Sequence, residues 1–249
     1  MPLTFAHPAA ILLFPRKSKW VNFTALVFGS MAPDFEYFLR GQPYGLYGHT
    51  ISGFFYFNLP FVILFAYIYH KLIHKTLMHH VPVVLQDSYI DRSTNNKMVN
   101  SIVFVYSAII GMFTHVIWDS VTHANGFMVV KFSFLSKQIT LFQFRVPVYK
   151  FLQHGGTLFG LGIIILYLFF RSKYFGQRDI TKTTKQKIHF WISLIAVGGC
   201  IILTWYAIDY VPLFNYGIAV MRFFDSMIIS LLIICVYHSL DDKKVKKQS

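Results

Sequence analysis

The chain has 249 residues, of which 55% are hydrophobic, 18% aromatic and only 13% charged. The charged share is about half that of soluble globular domains, which excludes disorder and argues against an ordinary soluble domain. Lys and Arg number 23 against 10 acidic residues, a formal net charge of +13. No zinc-finger, RNP or other nucleic-acid motif accompanies the excess, so it reads as basic loops facing anionic headgroups and not as a nucleic-acid interface.

Residues 1–49 contain no run long enough to span a bilayer. Ala9 to Phe14 and Val21 to Met31 are apolar but short, separated by Pro15 and by Arg16, Lys17 and Lys19. They predict two short interfacial or re-entrant helices. The basic cluster follows the apolar stretch, the reverse of a signal peptide. Gly29-Ser30 and Pro33 break the pattern before Asp34-Phe35-Glu36-Tyr37.

The first span is expected from about Ile51 to Leu72, with Pro60 a possible kink. A polar loop, 73–98, carries Lys75, His79, His80, Asp87, Asp91, Arg92 and Lys97. The second span runs from about Val99 to Trp118. Residues 124–153 are mixed, and the alternation from Ile139 to Val148 predicts an extended or interfacial segment. Further spans follow at about Gly155 to Phe170, Ile188 to Ile208 and Tyr216 to Tyr237, with the basic loop 171–187 (Arg178 included) and a Lys-rich tail.

The expected fold class is therefore all-α: a polytopic membrane helical bundle of about five transmembrane helices plus short N-terminal interfacial helices. A single integral domain is the simplest account: 1–49 interfacial, 50–240 the bundle, 241–249 a basic tail. Cys200 and Cys235 fall inside apolar runs and read as small buried hydrophobes. Loop 171–187 and the tail are the most basic segments, which predicts a cytoplasmic C-terminus. Threading five spans back from it puts the N-terminal segment and loop 119–154 outside. The expected location is the cytoplasmic (inner) membrane, with the candidate site on its extracytoplasmic face.

The chemistry-bearing residues collect on that face. Thr114 to His123 places His115, Asp119 and His123 at i, i+4 and i+8, one above another along a helix. Paired imidazoles and carboxylates at helical spacing converge on metal ions. His49 opens the first span and His154 opens the third, while His7 and Asp34 can reach the same face. His123 stands two turns from His115, about 12 Å along the axis at about 1.5 Å per residue. It is therefore expected to be peripheral unless the helix breaks before it. Glu36 reads equally as a ligand, a general base or a surface charge. The cluster His70, His74, His79 and His80 is interleaved with Lys71 and Lys75 and lacks a carboxylate, so a solvated helix end is expected there. No GxSxG elbow, P-loop or GxGxxG is present.

Thr4 to Pro8 (TFAHP), Gly29 to Phe38 (GSMAPDFEYF), His49-Thr50, His115 to Asp119 (HVIWD), Thr122-His123 and Gln153 to Gly155 resemble the bacterial membrane family called domain of unknown function 4184. These blocks span most of the chain. The family is distantly similar to membrane-bound metal-dependent hydrolases of the YdjM type, which share an early His, a PD block, a later HT or HS and an HxxxD helix. It is more remotely similar to zinc-dependent phospholipase C and the S1/P1 nucleases. That resemblance implies His7, Asp34, His49, His115, Asp119 and His154 as ligands. The second HxxxE/D pair of the soluble enzymes is missing, because Leu158 follows His154 by four residues. One or two divalent ions, Zn²⁺ by default, are implied instead of three.

The leading expectation is a metal-dependent hydrolase acting at the membrane interface on a lipid or lipid-linked phosphoester. Asp34 or Asp119 would bridge or orient, and His123 would serve as a proton donor or supporting group. Membrane lipid is the expected partner and nucleic acid is not. The rivals are a metal-ion or proton transporter and a non-catalytic scaffold with a structural metal.

Overall fold

In hydrocarbon each backbone N–H and C=O must be bonded within its own segment, so the apolar runs have little choice but to be helical. The computed structural model describes residues 3–86, 93–141, 143–175, 182–212 and 214–248. Asp87, Asp91, Arg92 and Arg178, counted above among the loop charges, lie outside them. Short helices come first: α1 (Thr4–Ile11, in 3-10 turns), α2 (Phe23–Met31) and α3 (Phe35–Arg40). The long stretch α4 (Ile51–His80) precedes α5 (Lys97–Thr122) and the short α6 (Phe127–Lys131). Strands β1 (Gln138–Leu141) and β2 (Phe144–Pro147) lead into α7 (Val148–Phe175), α8 (Thr184–Ile208) and α9 (Tyr216–Gln248).

Five stretches are long and apolar enough to cross a membrane: Ile51–His80, Lys97–Lys131, Val148–Tyr174, Thr184–Ile208 and Tyr216–Leu240. The all-helical class and the number of spans agree with the sequence. The alternating segment is extended: β1 and β2 pair antiparallel, with Thr140 opposite Arg145. Only 11% of the best apolar window of α7, and the same share of α8, is buried within the protein. Apolar faces this exposed suit a lipid environment and not water, and the chain reads as an integral membrane protein.

Pro60 leaves α4 continuous. The backbone widens to a π-turn over Phe54–Asn58 just ahead of it, and Leu59 N–H bonds Phe54 O. A one-residue widening gives the proline ring room beside the preceding turn.

The residues group into two compact units that interleave in sequence. The first comprises Met1–Phe35, Leu46–Ile63 and Ile90–Tyr167. Its centre is the meeting of α2 with α5, where glycines let the backbones touch. A Cβ on Gly29 would lie 2.2 Å from the Ala108 carbonyl oxygen, and one on Gly111 2.5 Å from that of Leu26. Small residues at such a crossing are how helices approach closely in a membrane. Ile11, Phe23 and Leu26 form an apolar core beside this crossing.

The second unit comprises Glu36–Gly45, Leu64–Tyr89 and Leu168–Ser249. Its core is Phe190 and Leu194 of α8 with Ile234 and Cys235 of α9, flanked by Ile73 and Leu77. Cys235 is buried as expected. Cys200 is exposed on the surface of α8 and not buried as expected. The expectation of a solvated histidine cluster fails at His80, which is 2% exposed. Its ring stacks on Phe190, with centroids 4.3 Å apart.

Candidate metal centre

The site lies wholly within the first unit and is built from three segments. The α2–α5 crossing sets the first register. Because Gly29 and Gly111 bring the two backbones together, the Ser30 carbonyl meets His115 Nδ1 at 2.8 Å. A ring nitrogen on a carbonyl must be the donor, so the hydrogen is on Nδ1 and Nε2 faces inward as the free ligand atom. One turn on, Asp119 turns its carboxylate to the same place, and its Oδ2 lies 3.2 Å from His115 Nε2.

The 3-10 turn Ala32–Asp34 then delivers Asp34, which is 1% exposed. Thr4 Oγ1 donates to Asp34 Oδ2 at 2.6 Å, fixing one carboxylate oxygen and leaving Oδ1 to the interior. The Thr4 carbonyl accepts from His7 Nδ1 at 3.2 Å. Both polar groups of Thr4 therefore serve the site. Leu3 N–H in turn donates to Thr157 Oγ1 on α7, which anchors the segment.

His49 enters between two fixed neighbours. Asn58 Nδ2 donates to the Gly48 carbonyl at 2.7 Å, and Thr50 caps the start of α4 by accepting from Gly53 N–H. His49 Nε2 then stands 3.6 Å from Asp34 Oδ1 and 3.4 Å from Asp119 Oδ2. His115 Nε2 stands 3.6 Å from Asp34 Oδ1.

Asp34, His49, His115 and Asp119 thus offer four ligand atoms, all within 4.8 Å of one another. Two imidazoles and two carboxylates are a hard-to-borderline donor set suited to a divalent cation. Metal–ligand bonds of about 2.0–2.1 Å in a tetrahedron put neighbouring ligand atoms about 3.3–3.4 Å apart. The four imidazole–carboxylate separations, 3.2 to 3.6 Å, bracket that edge.

Charge and hydrogen bonding point the same way. Asp34 Oδ1 and His115 Nε2 are buried without a hydrogen-bond partner. Among the described residues, the ion-pair partners of Asp34 and Asp119 are all histidines. A buried carboxylate and a partly buried one, with no Lys or Arg among their described ion-pair partners, need positive charge from protonated imidazoles or from a cation. Burial by itself pushes the Asp34 carboxyl up, but the facing His115 and His7 outweigh it and hold it below its ordinary value.

His7 lies just outside the four. It is 1% exposed, stacks on His115 with centroids 3.9 Å apart, and brings Nε2 to 3.2 Å from Asp119 Oδ1. His123 is nearer than its spacing implied, for the conditional reason given above. Helix α5 stops at Thr122, and His123 is extended (φ −117°, ψ 143°). Its Nδ1 returns to 3.4 Å from Asp119 Oδ1. Asp119 therefore faces two ways, with Oδ2 toward His49 and His115 and Oδ1 toward His7 and His123.

Two expected site residues are elsewhere. His154 is exposed and outside the group. The face that α7 turns inward is Gln153, Gly156, Thr157 and Gly160, where a Cβ on Gly160 would meet Ala6 O at 2.9 Å. His154 is one residue, about 100°, off that face. Glu36 belongs to the second unit, where its Oε1 accepts from Arg40 Nε and Nη2 at 3.0 and 2.8 Å. It is a buried ion-pair partner of the next turn and not a member of the group. Thr4 and Ser30 are the supporting residues that sequence reasoning missed. Thr4 stands three residues before His7, a spacing that suits a turn, but nothing in the sequence links it to Asp34.

The family described as Domain of unknown function (DUF4184) matches residues 1–236, and the chain belongs to it. No curated protein and no solved structure matches the chain.

Proposed function

We propose that this family member is a membrane-embedded metal-dependent hydrolase acting on a lipid or lipid-linked phosphoester at the membrane interface. The observation that carries the reading is that two buried ligand atoms, Asp34 Oδ1 and His115 Nε2, make no hydrogen bond and stand within ion-pair distance of one another and, respectively, of His49 and Asp119. Asp34, His49, His115 and Asp119 would hold one divalent ion, with Zn²⁺ the default for such a donor set. Asp119 Oδ1, with His7 and His123, offers a place for a second. A bound divalent ion supplies Lewis acidity, which polarises a scissile bond and acidifies water.

The protein's own groups do the rest. Ser30 and Thr4 fix the tautomers of His115 and His7, so no ring has to turn during turnover. His49 and His123 are the accessible members, 33% and 30% exposed, and mark the mouth of the site. His123 Nδ1, beside Asp119, is placed to pass a proton to a leaving group. The distant similarity to YdjM-type hydrolases, carried by His7, Pro33-Asp34, His49-Thr50 and the His115/Asp119 helix, supports the same chemistry. An accessible mouth favours an enzyme over a closed structural metal site.

The test is hydrolysis of phosphoester lipids in mixed micelles by the purified protein. Activity should vanish on chelation, return with added divalent ion, and fall at least about 100-fold in Asp119→Asn. Full activity after chelation would sink the proposal.

The proposed location is the cytoplasmic membrane with the site on its outer face, from the basic 171–187 loop and tail. Cysteines placed at Lys137 and Lys246 should be labelled from outside and inside respectively. Labelling of position 246 from outside intact cells would reverse the assignment.

A further inference from the structure

The second unit carries a cavity of about 470 Å³ where α4 ends and α8 begins, lined among others by His80, Val83, Lys182, Thr183, Lys187 and Trp191. We propose that it binds the phosphate of an anionic phospholipid headgroup.

Among the described residues its lining contains two lysines and no carboxylate, a composition that favours negative charge. Its walls are held in place. Lys187 Nζ donates to the Val81 carbonyl at 3.3 Å, and the Trp191 indole N–H donates to the His80 carbonyl at 3.1 Å. Thr183 and Gln186 close a capping box at the start of α8. The N-terminus of this 25-residue helix adds its partial positive charge to that of the lysines.

The third feature is His80, 2% exposed and part of the lining. Its Nδ1 donates to the Thr76 carbonyl at 2.8 Å, which leaves Nε2 as an acceptor. A bare phosphate has little use for an acceptor. A headgroup that carries hydroxyls beside its phosphate, as phosphatidylglycerol does, uses both.

Depth separates a lipid from free phosphate. The cavity lies where the candidate span Ile51–His80 ends and Thr184–Ile208 begins, and the ends of apolar spans are where headgroups are expected. From Ile188 and Trp191 in its lining, an exposed apolar stripe continues through Ile192 and Ile195 at helical spacing down α8. Acyl chains attached to a phosphate in the cavity would lie along that stripe, with the Trp191 ring at the boundary where tryptophan is favoured.

The experiment uses the full chain in neutral detergent, with binding read by native mass spectrometry. The probes are short-chain phosphatidylglycerol, short-chain phosphatidylcholine and inorganic phosphate. Saturable phosphatidylglycerol binding is expected, tighter than phosphatidylcholine and not displaced by equimolar inorganic phosphate. Lys182→Gln/Lys187→Gln should weaken it about 10- to 30-fold, the scale of two lysines at an anionic surface. Lys185→Gln, exposed on the same turn and not lining the cavity, should leave it unchanged. Val81 loses a hydrogen bond in the double variant, so Lys182→Gln alone is measured beside it and should show part of the loss.

Equal binding of the two lipids would overturn the proposal. So would unchanged phosphatidylglycerol binding in both lysine variants, or an equal loss in Lys185→Gln. Displacement by inorganic phosphate would identify the ligand as free phosphate and overturn the lipid assignment.

Discussion

His115→Ala is expected to purify with almost no bound divalent metal under conditions in which the wild type carries one or two ions per chain. It removes Nε2, one of the four converging ligand atoms, and the ring that bonds Ser30 and stacks on His7. Loss of a supporting partner alone weakens metal affinity about 10- to 100-fold, so loss of the ligand itself should exceed that. The measurement is elemental analysis of dialysed protein, with His154→Ala as the control. His154 is exposed and outside the group, so its variant should retain wild-type metal content. Metal content that fell in His154→Ala and held in His115→Ala would invert the assignment.

The second large effect is expected from a residue with no functional group. Gly29→Ala places a methyl where the Ala108 carbonyl oxygen already stands, 2.2 Å away, and neither backbone has room to yield. Overpacking of this kind costs about 1–3 kcal/mol. The cost should also reach the metal. Separating α2 from α5 draws the Ser30 carbonyl off His115 Nδ1, a second-sphere loss worth about 10- to 100-fold in metal affinity. Gly162→Ala is the counterpart. A Cβ there meets nothing within 4 Å, and replacing glycine in a helix gains about 1 kcal/mol. Thermal unfolding and metal titration of the two variants should move in opposite directions for stability, and only Gly29→Ala should lose metal. Unchanged metal affinity in a destabilised Gly29→Ala would separate the helix crossing from the site.

The five spans, the extended 139–148 segment and the His115/Asp119 register were all legible in the sequence, because each rests on local periodicity or length. What was not legible depended on phase between elements. His154 and Gln153 differ by one helical step. Which of them faces inward is decided by Gly160 against Ala6 and Gly156 against Trp118, contacts between segments far apart in the chain. His123 turned on where α5 stops. Glu36 had its answer four residues away in Arg40, an i, i+4 pair that local reading could have weighed more heavily. His80 was misread because interleaved lysines suggested water, whereas its ring found an apolar partner in Phe190 from another helix.

The wide sequence separations within the site bear on how it comes into being. His7 meets Asp119 across 112 residues, and Ser30 meets His115 across 85. A chain made from its N-terminus delivers Asp34 and His7 long before α5 has left the ribosome. Until then the early segment holds Asp34 and His7 without their partners on α5. The four-ligand group is completed only when α5 has been inserted beside it. On the proposed function, capture of an ion would be timed to the arrival of the second span, and a chain that stalls before that point presents only part of the four-ligand group.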